Sequence, residues 1–408
     1  VSNPIVFRKS GGGANPLITA GPGTGDMDAI FAVNGCDAVT FDGFSIQENE
    51  ENTDDITRME WGFALLKASG TDGSQNITIR NCAITLNREN AWTKGIYSNN
   101  HTSQETTPLS VTTASGANSF LKIYNNTITN AYTGIYIKGF ADVAPFDFYD
   151  QNNEIGKDGP NIITSIGGGD QVPYGIYAIS QNNLKVANNT ITSTMAGSTT
   201  VYGILMTNSG NASYDLYGNS VSIQYTSSDG YNASFYPIYC DMGAGGTSNV
   251  ANIFNNTVTG CTYPTIISAT FYALYLYNLG VTANVYENII SNNIVGFFHD
   301  EASGPIRYLS CQKVSTVSGP LVVHDNIVTG NARYNIEPGN GATTMINISG
   351  SGTTLHAYNN TISDNVITSA GAANIFYVIF SDASGKYVYD NTISNISESN
   401  GSVVGIYN

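Results

Sequence analysis

The chain has 408 residues with 31 Asp or Glu against 15 Lys or Arg, a formal net charge of −16. That balance disfavours nucleic acid and anionic membrane surfaces as partners, and no run approaches the roughly 18 apolar residues of a membrane span, so no membrane insertion is expected. Charged residues are only 11 % of the total, which leaves the surface to Asn, Thr, Ser, Gly and Tyr and suits an extracellular, secreted or cell-surface protein.

In chain order the first strand-like run is Pro4-Ile5-Val6-Phe7, and Val39-Thr40-Phe41-Asp42-Gly43-Phe44 follows. Glu48-Asn49-Glu50-Glu51-Asn52-Thr53-Asp54-Asp55 is the most acidic stretch. It reads as a loop of solvated charge; the sharper alternative is a Ca²⁺ site using Glu50, Asp54 and Asp55. The chain carries no other cofactor or metal motif.

A short phrase then recurs: an apolar residue, one or two Asn, a small residue, Ile or Val, then Thr or Ser. It reads Ile123-Tyr124-Asn125-Asn126-Thr127-Ile128-Thr129 and returns at 186–192, 216–222, 253–259, 285–291, 323–329, 357–363 and 388–394. Its marker residues are Asn126, Asn189, Asn219, Asn256, Asn288, Asn326, Asn360 and Asn391, with Cys82 in the equivalent place of an earlier copy and Asn153 in a weaker one. The nine steps from Cys82 to Asn391 average about 34 residues and run from 27 to 44. Repetition at this period marks a repeat architecture. A second phrase follows most markers, as in Gly95-Ile96-Tyr97, Gly134-Ile135-Tyr136, Gly175-Ile176-Tyr177 and Gly405-Ile406-Tyr407.

Units rich in Thr, Ile, Val, Tyr, Asn and Gly form strands and turns rather than helices. Strands this short bury a face only when one coil stacks on the next at about 4.8 Å, which gives a parallel β-helix. Strand alternation sends Ile128, Ile191, Val221, Val258, Ile290, Val328, Ile362 and Ile393 inward as a column. The marker asparagines tolerate the left-handed bend of a corner, and each amide can bond its equivalent one coil away, so they are expected to form an internal ladder. Tyr124, Tyr217, Tyr286, Tyr358 and Tyr389 precede the marker at one offset and are expected to face outward in a file. Such a file either shields the backbone or forms a stripe that binds sugar or a partner surface.

On these phrases the chain resembles the right-handed parallel β-helix proteins of the pectate-lyase-like class, in the form common in secreted and surface proteins of Bacteroidetes. The resemblance covers nearly the whole sequence. It implies an all-β, single-stranded right-handed solenoid of about eleven coils at about 4.8 Å, with irregular loops. The expected organisation is one continuous domain over 1–408, with a lead-in coil over 1–35 and repeats over 36–408. Strand-like sequence at both ends reads as a segment of a longer chain, or as ends that stack on another copy.

The scaffold hosts lyases, hydrolases, adhesins and inert spacers alike, so activity has to be sought in residues. A lyase needs a basic residue of lowered pKa, often with Ca²⁺; Lys94, Lys138, Lys157, Lys185, Arg307, Lys313 and Arg333 are dispersed, none inside an Asp cluster. A hydrolase needs carboxylates aligned on one face. Asn52-Thr53-Asp54-Asp55 matches part of the pectin-hydrolase pattern, whose His-Gly is missing, and His299-Asp300-Glu301 is an isolated candidate. Five cysteines lack metal spacing. Cys82 is expected to be a buried thiol, and Cys240 with Cys261 could form a disulfide. The leading expectation is a non-enzymatic, structural or adhesive extracellular module that binds carbohydrate or self-associates end to end, with no catalytic residue. The rival is a polysaccharide lyase or glycoside hydrolase working in a groove made by longer loops such as 99–120 and 138–175.

Overall fold

The computed structural model describes residues 3–197, 199–226, 233–267, 269–297, 304–313, 319–335, 342–350, 354–368, 375–381 and 385–407. Among them are 43 short strands and one 3₁₀ turn, Ala114–Gly116. The chain groups into two compact units, Val1–Thr192 with Met206–Ser209 and Ser193–Leu205 with Gly210–Asn408. Each is a parallel β-solenoid.

In the first unit one face starts at Ile5–Arg8 and Val39–Asp42, a second at Leu17–Thr19 and Ser45–Gln47. The third face consists of Ala29–Asn34, Trp61–Leu66, Lys94–Ser98, Thr133–Lys138 and Tyr174–Ile179, each paired in parallel with the next. In the second unit the corresponding faces start at Tyr214–Tyr217, Ser220–Tyr225 and Phe235–Met242. A short extra row, Thr262–Ile266, Ile294–Phe297, Ala332–Asn335, Val366–Thr368 and Ser397–Glu398, is added there.

Equivalent residues sit on one another. Ile84, Ile128, Ile163 and Ile191 stack in one unit, and Val221, Val258, Ile290, Val328 and Ile362 in the other. All are buried. Ile393 continues the column in register on Ile362 and is 36 % exposed, as its whole strand Thr392–Ser394 is exposed. The second-phrase glycines make room for this column: a methyl on Gly95 would lie 2.5 Å from Ile128 Cγ2. Outward hydroxyls pair between coils, Thr129 with Thr164 at 3.0 Å and Thr329 with Ser363 at 2.9 Å.

The asparagine ladder is present in both units. In the second, the Oδ1 of Asn288 accepts both the backbone N–H (3.1 Å) and the Nδ2 (3.0 Å) of Asn256. The same pair of bonds runs from Asn219 to Asn256, Asn288 to Asn326, Asn326 to Asn360 and Asn360 to Asn391. The amides of Asn256, Asn288, Asn326, Asn360 and Asn391 also donate to a carbonyl of the preceding coil, as Asn256 does to Leu216 at 2.8 Å.

Two details differ from the sequence reading. The bend and the ladder are separate jobs: the residue before the marker takes the left-handed conformation (Asn125, Asn188, Asn255, Asn359, and also Glu287, Asp325 and Asp390), leaving the marker free to point inward. In the first unit the rung between Asn126 and Asn189 is Asn161, not Asn153. Asn153 instead bonds Gln181 and the N–H of Leu121.

A second ladder, unforeseen in the sequence, links Asn293, Asn331 and Asn365 at the next corner. A cysteine stands above a ladder in each unit. Cys82 N–H donates to Asn126 Oδ1 and Cys261 N–H to Asn293 Oδ1, both at 3.0 Å. A thiol fits the buried corner and donates to the previous coil at sulfur distances, Cys82 Sγ to the Phe41 carbonyl at 4.0 Å and Cys261 Sγ to the Val221 carbonyl at 3.8 Å, more weakly than an amide does. All five cysteines are unbonded, so the Cys240–Cys261 bridge does not form. Cys240 lies on the third-face strand Phe235–Met242, whereas Cys261 sits at the second corner.

Two outcomes follow. Asn256→Asp deprives the Nδ2 bonds to Leu216 and Asn288 of their donor and sets a carboxylate against carbonyl oxygens; it should cost about 3 kcal/mol or more, whereas Asn255→Asp at the exposed bend should be nearly neutral. Denaturant titration of both variants checks this. Only Cys36 is exposed, so a thiol reagent should label one cysteine per native chain and five after unfolding.

Candidate functional site

On the third face of the first unit, consecutive strands set Trp61 in register with Lys94, and Tyr97 in register with Tyr136. The loops entering the strands Trp61–Leu66 and Lys94–Ser98 rise on one side and enclose a groove of roughly 840 Å³. Trp61, Trp92, Tyr97 and Tyr136 provide its aromatic walls, and Asp26, Asp55, Glu60 and Glu89 its carboxyl groups.

Local hydrogen bonds fix both loops. Glu48 ties the first: one carboxylate oxygen accepts the Met59 N–H at 2.6 Å and the other accepts the N–H of Asn49 and the Nδ2 of Asn52, each at 2.8 Å. The second closes on two side-chain turns, in which Asn87 Oδ1 accepts the Glu89 N–H and Asn90 Oδ1 the Trp92 N–H, both at 3.0 Å. Thr93 Oγ donates to the carbonyls of Asn87 and Asn90. Such turns replace the ladder bonds the backbone gives up where it leaves the sheet. They hold Trp92 with 64 % of its surface in solvent.

Within the groove Trp61 stacks on Tyr97 at 4.3 Å. The Tyr97 hydroxyl pairs with His101 Nε2 at 2.8 Å, and His101 Nδ1 lies 2.7 Å from the Thr102 carbonyl. Burial raises the Tyr97 hydroxyl to about 12 and lowers His101, so both stay neutral near pH 7. Lys94 Nζ donates to the Trp92 carbonyl at 2.9 Å and lies 5.8, 5.4 and 5.8 Å from the ring centres of Trp92, Tyr97 and Tyr136. Burial lowers its ammonium to about 8, opposed by the nearby Glu60 carboxylate.

Glu60 is 4 % exposed. Its Oε2 accepts the Asp28 N–H at 3.1 Å. Burial pushes its carboxyl up to about 7; the Asp28 N–H and Asn90 side chain pull the other way, and the Asp28 carboxylate adds to the rise. One wall thus holds a carboxylic acid protonated far above the ordinary range.

The outward tyrosines of the sequence reading lie elsewhere. In the second unit Tyr217, Phe254, Tyr286, His324, Tyr358 and Tyr389 stack ring on ring at 4.8 to 5.2 Å and 2 to 9°. Facing rings cover one another, so this file presents mainly edges. In the first unit Tyr124 accepts a hydrogen bond from Arg80 at 2.9 Å, and Arg80 also pairs with Asp42.

Asp55 pairs with Arg58 at 3.3 Å, and among the described residues no three His, Cys, Asp or Glu gather closely enough to hold a metal ion. His299-Asp300-Glu301 lies outside the described residues. Of the dispersed basic residues, Lys157 pairs with Glu154, Lys313 Nζ binds the Val281 and Gly319 carbonyls, and Arg333 donates to Thr343. Lys94 has the Glu60 carboxyl nearby and lines the same groove as Asp26, Asp55 and Glu89. The loop 99–120 contributes Thr106 to the groove, and 138–175 lines no part of it. Glu60, Trp61 and Trp92 were not singled out in the sequence; the one available signal was an isolated Trp at the start of one strand and another just before the next strand of that face.

No protein-family model matches the chain, and no curated protein is significantly similar to it. Among solved structures it is similar to tailspike proteins of E. coli bacteriophage HK620. One, in complex with a pentasaccharide, is 12 % identical with a TM-score of 0.38, and a second is 12 % identical at 0.35. Each comparison covers 98 % of this chain and 60 % of the tailspike, so the chain spans about three fifths of their length. No helix of the protein is long and apolar enough to cross a membrane.

The unusual Glu60 has a consequence for stability. Between about pH 4.5 and 7 the folded chain keeps a proton on Glu60 that the unfolded chain has lost, so stability falls as pH rises through this window. Wild type should lose on the order of 2 kcal/mol from this group between pH 5 and 8, and Glu60→Gln should remove that slope. Calorimetric melting across the range checks the difference.

Proposed function

We propose that the protein binds a glycan chain in the aromatic-walled groove of its first unit, as a carbohydrate-binding β-solenoid of an extracellular or cell-surface protein. One observation carries the reading: Trp92, largely exposed, is held over the groove by the hydrogen-bonded loop 87–94. A large ring fixed in advance offers stacking area to a pyranose without the ordering cost of a mobile side chain. Amide and hydroxyl groups of Asn90 and Thr106 on the same walls suit sugar hydroxyls. The groove volume falls within the usual range for ligand sites.

Charge selects among glycans. Four carboxyl groups against one lysine line the groove, so an acidic polysaccharide would be repelled, which argues against a lyase acting on uronates. A neutral glycan fits better. The composition, poor in charge and rich in Asn, Thr, Ser and Tyr, supports exposure outside the cell, and adhesion needs no chemistry from the groove.

A glycan array followed by titration calorimetry tests this. Neutral oligosaccharides should bind and oligogalacturonates should not. Trp92→Ala should weaken binding at least about tenfold, roughly 1.4 kcal/mol or more, while Tyr286→Ala in the stacked file should leave it unchanged. Array binding untouched by Trp92→Ala would place the ligand elsewhere.

A further inference from the structure

The groove holds more than binding requires. Sugar recognition needs rings and polar edges; it does not need a carboxyl group withdrawn from water among them. Glu60 is such a group, 4 % exposed, anchored by the Asp28 N–H through one oxygen and lining the same groove as Trp61, Trp92 and Tyr97. Three further carboxyl groups line it: Asp26 and Glu89 are exposed at the rim, and Asp55 is 97 % exposed on its side chain. A shielded acid beside solvent-facing carboxylates is the division of labour that glycosidic bond cleavage uses.

We infer that the groove hydrolyses the glycosidic bond of the glycan it binds, with Glu60 as the general acid and one of Asp26, Asp55 and Glu89 as the second carboxylate. The inference rests on the glycan-binding reading. In the reaction the Glu60 carboxyl proton passes to the bridging oxygen, and the bond from that oxygen to the anomeric carbon breaks with its electron pair staying on oxygen. Water adds to the anomeric carbon and gives its proton to the second carboxylate. Both fragments end in hydroxyl groups and no oxidant or reductant takes part; the second carboxylate releases its proton to solvent, and solvent returns one to Glu60.

The charges around Glu60 keep it ready for this role. From the preceding coil Asp28 faces it, from the following coil the Lys94 ammonium, and from the adjoining loop Asn90. Burial outweighs them and holds the acid protonated up to about pH 7. Turnover should therefore decline above about pH 7 as Glu60 loses its proton.

The test uses the full chain and a panel of neutral polysaccharides: xylan, mannan, β-glucan, dextran and chitin oligomers. Binding is measured by calorimetry and cleavage by new reducing ends. Wild type should release reducing ends from a polysaccharide it binds, with the alkaline limb near pH 7. Glu60→Gln should keep affinity within about threefold and lose at least about 100-fold in turnover; Glu60→Asp, which keeps the carboxyl, should recover part of it. Binding without reducing ends overturns the hydrolytic inference and leaves the binding reading standing. Undiminished turnover in Glu60→Gln, or a wild-type profile flat through pH 7, overturns the role of Glu60. No binding to any member overturns both.

Discussion

Everything in this protein depends on one constraint: each coil must lie on its neighbour residue for residue, because no strand is long enough to bury a face by itself. Side-chain amides enforce that register. An asparagine at the inner corner offers a donor and an acceptor on a short stem, so one Oδ1 takes two protons from the rung behind and one Nδ2 gives protons forward and back. A slip of a single residue would strand several buried polar groups at once, each costing about 1–3 kcal/mol. The aliphatic column tolerates exchange of Ile for Val, and the same slip would turn its side chains outward. The ladder gives specificity and the column gives adhesion between coils.

The repeat made this architecture legible because its cause is local. A left-handed bend, an inward amide and an alternating strand fit within seven residues, and each recurs in the alphabet. Where the structure departs from the reading, two residues shared work that had been assigned to one. Asn-Asn pairs conceal the division; Glu287-Asn288 and Asp325-Asn326 reveal it, because only the second residue has to be Asn. The rung at Asn161 was hidden for a different reason. Its coil carries Ser-Ile-Gly after Ile163-Thr164 and lacks the apolar-Asn-Asn lead, so spacing pointed to Asn153 instead.

The groove was illegible for a reason of geometry. Its walls come from residues 26, 55, 60, 61, 89–92, 94, 97, 106 and 136, spread over successive coils. Stacking converts a separation of some thirty residues along the chain into one step across the sheet, so no window of sequence contains the site. The basic residues looked dispersed in the sequence, and Glu60 and Lys94 acquire unusual proton affinities because the coils around them exclude water. The outward tyrosines were easy to see because they repeat, and that repetition turns their faces toward each other. Trp92, by contrast, stands where the periodic pattern is interrupted.

The chain contains two tryptophans, Trp61 and Trp92, and both line the groove. One is buried against Tyr97 and the other stands in solvent. Light absorbed at the red edge of the protein's ultraviolet band therefore excites this single locality among 26 tyrosines. Its emission spectrum is a built-in optical gauge: a molecule that dries the exposed indole shifts the colour of the fluorescence, and events far from the two indoles leave that colour unchanged.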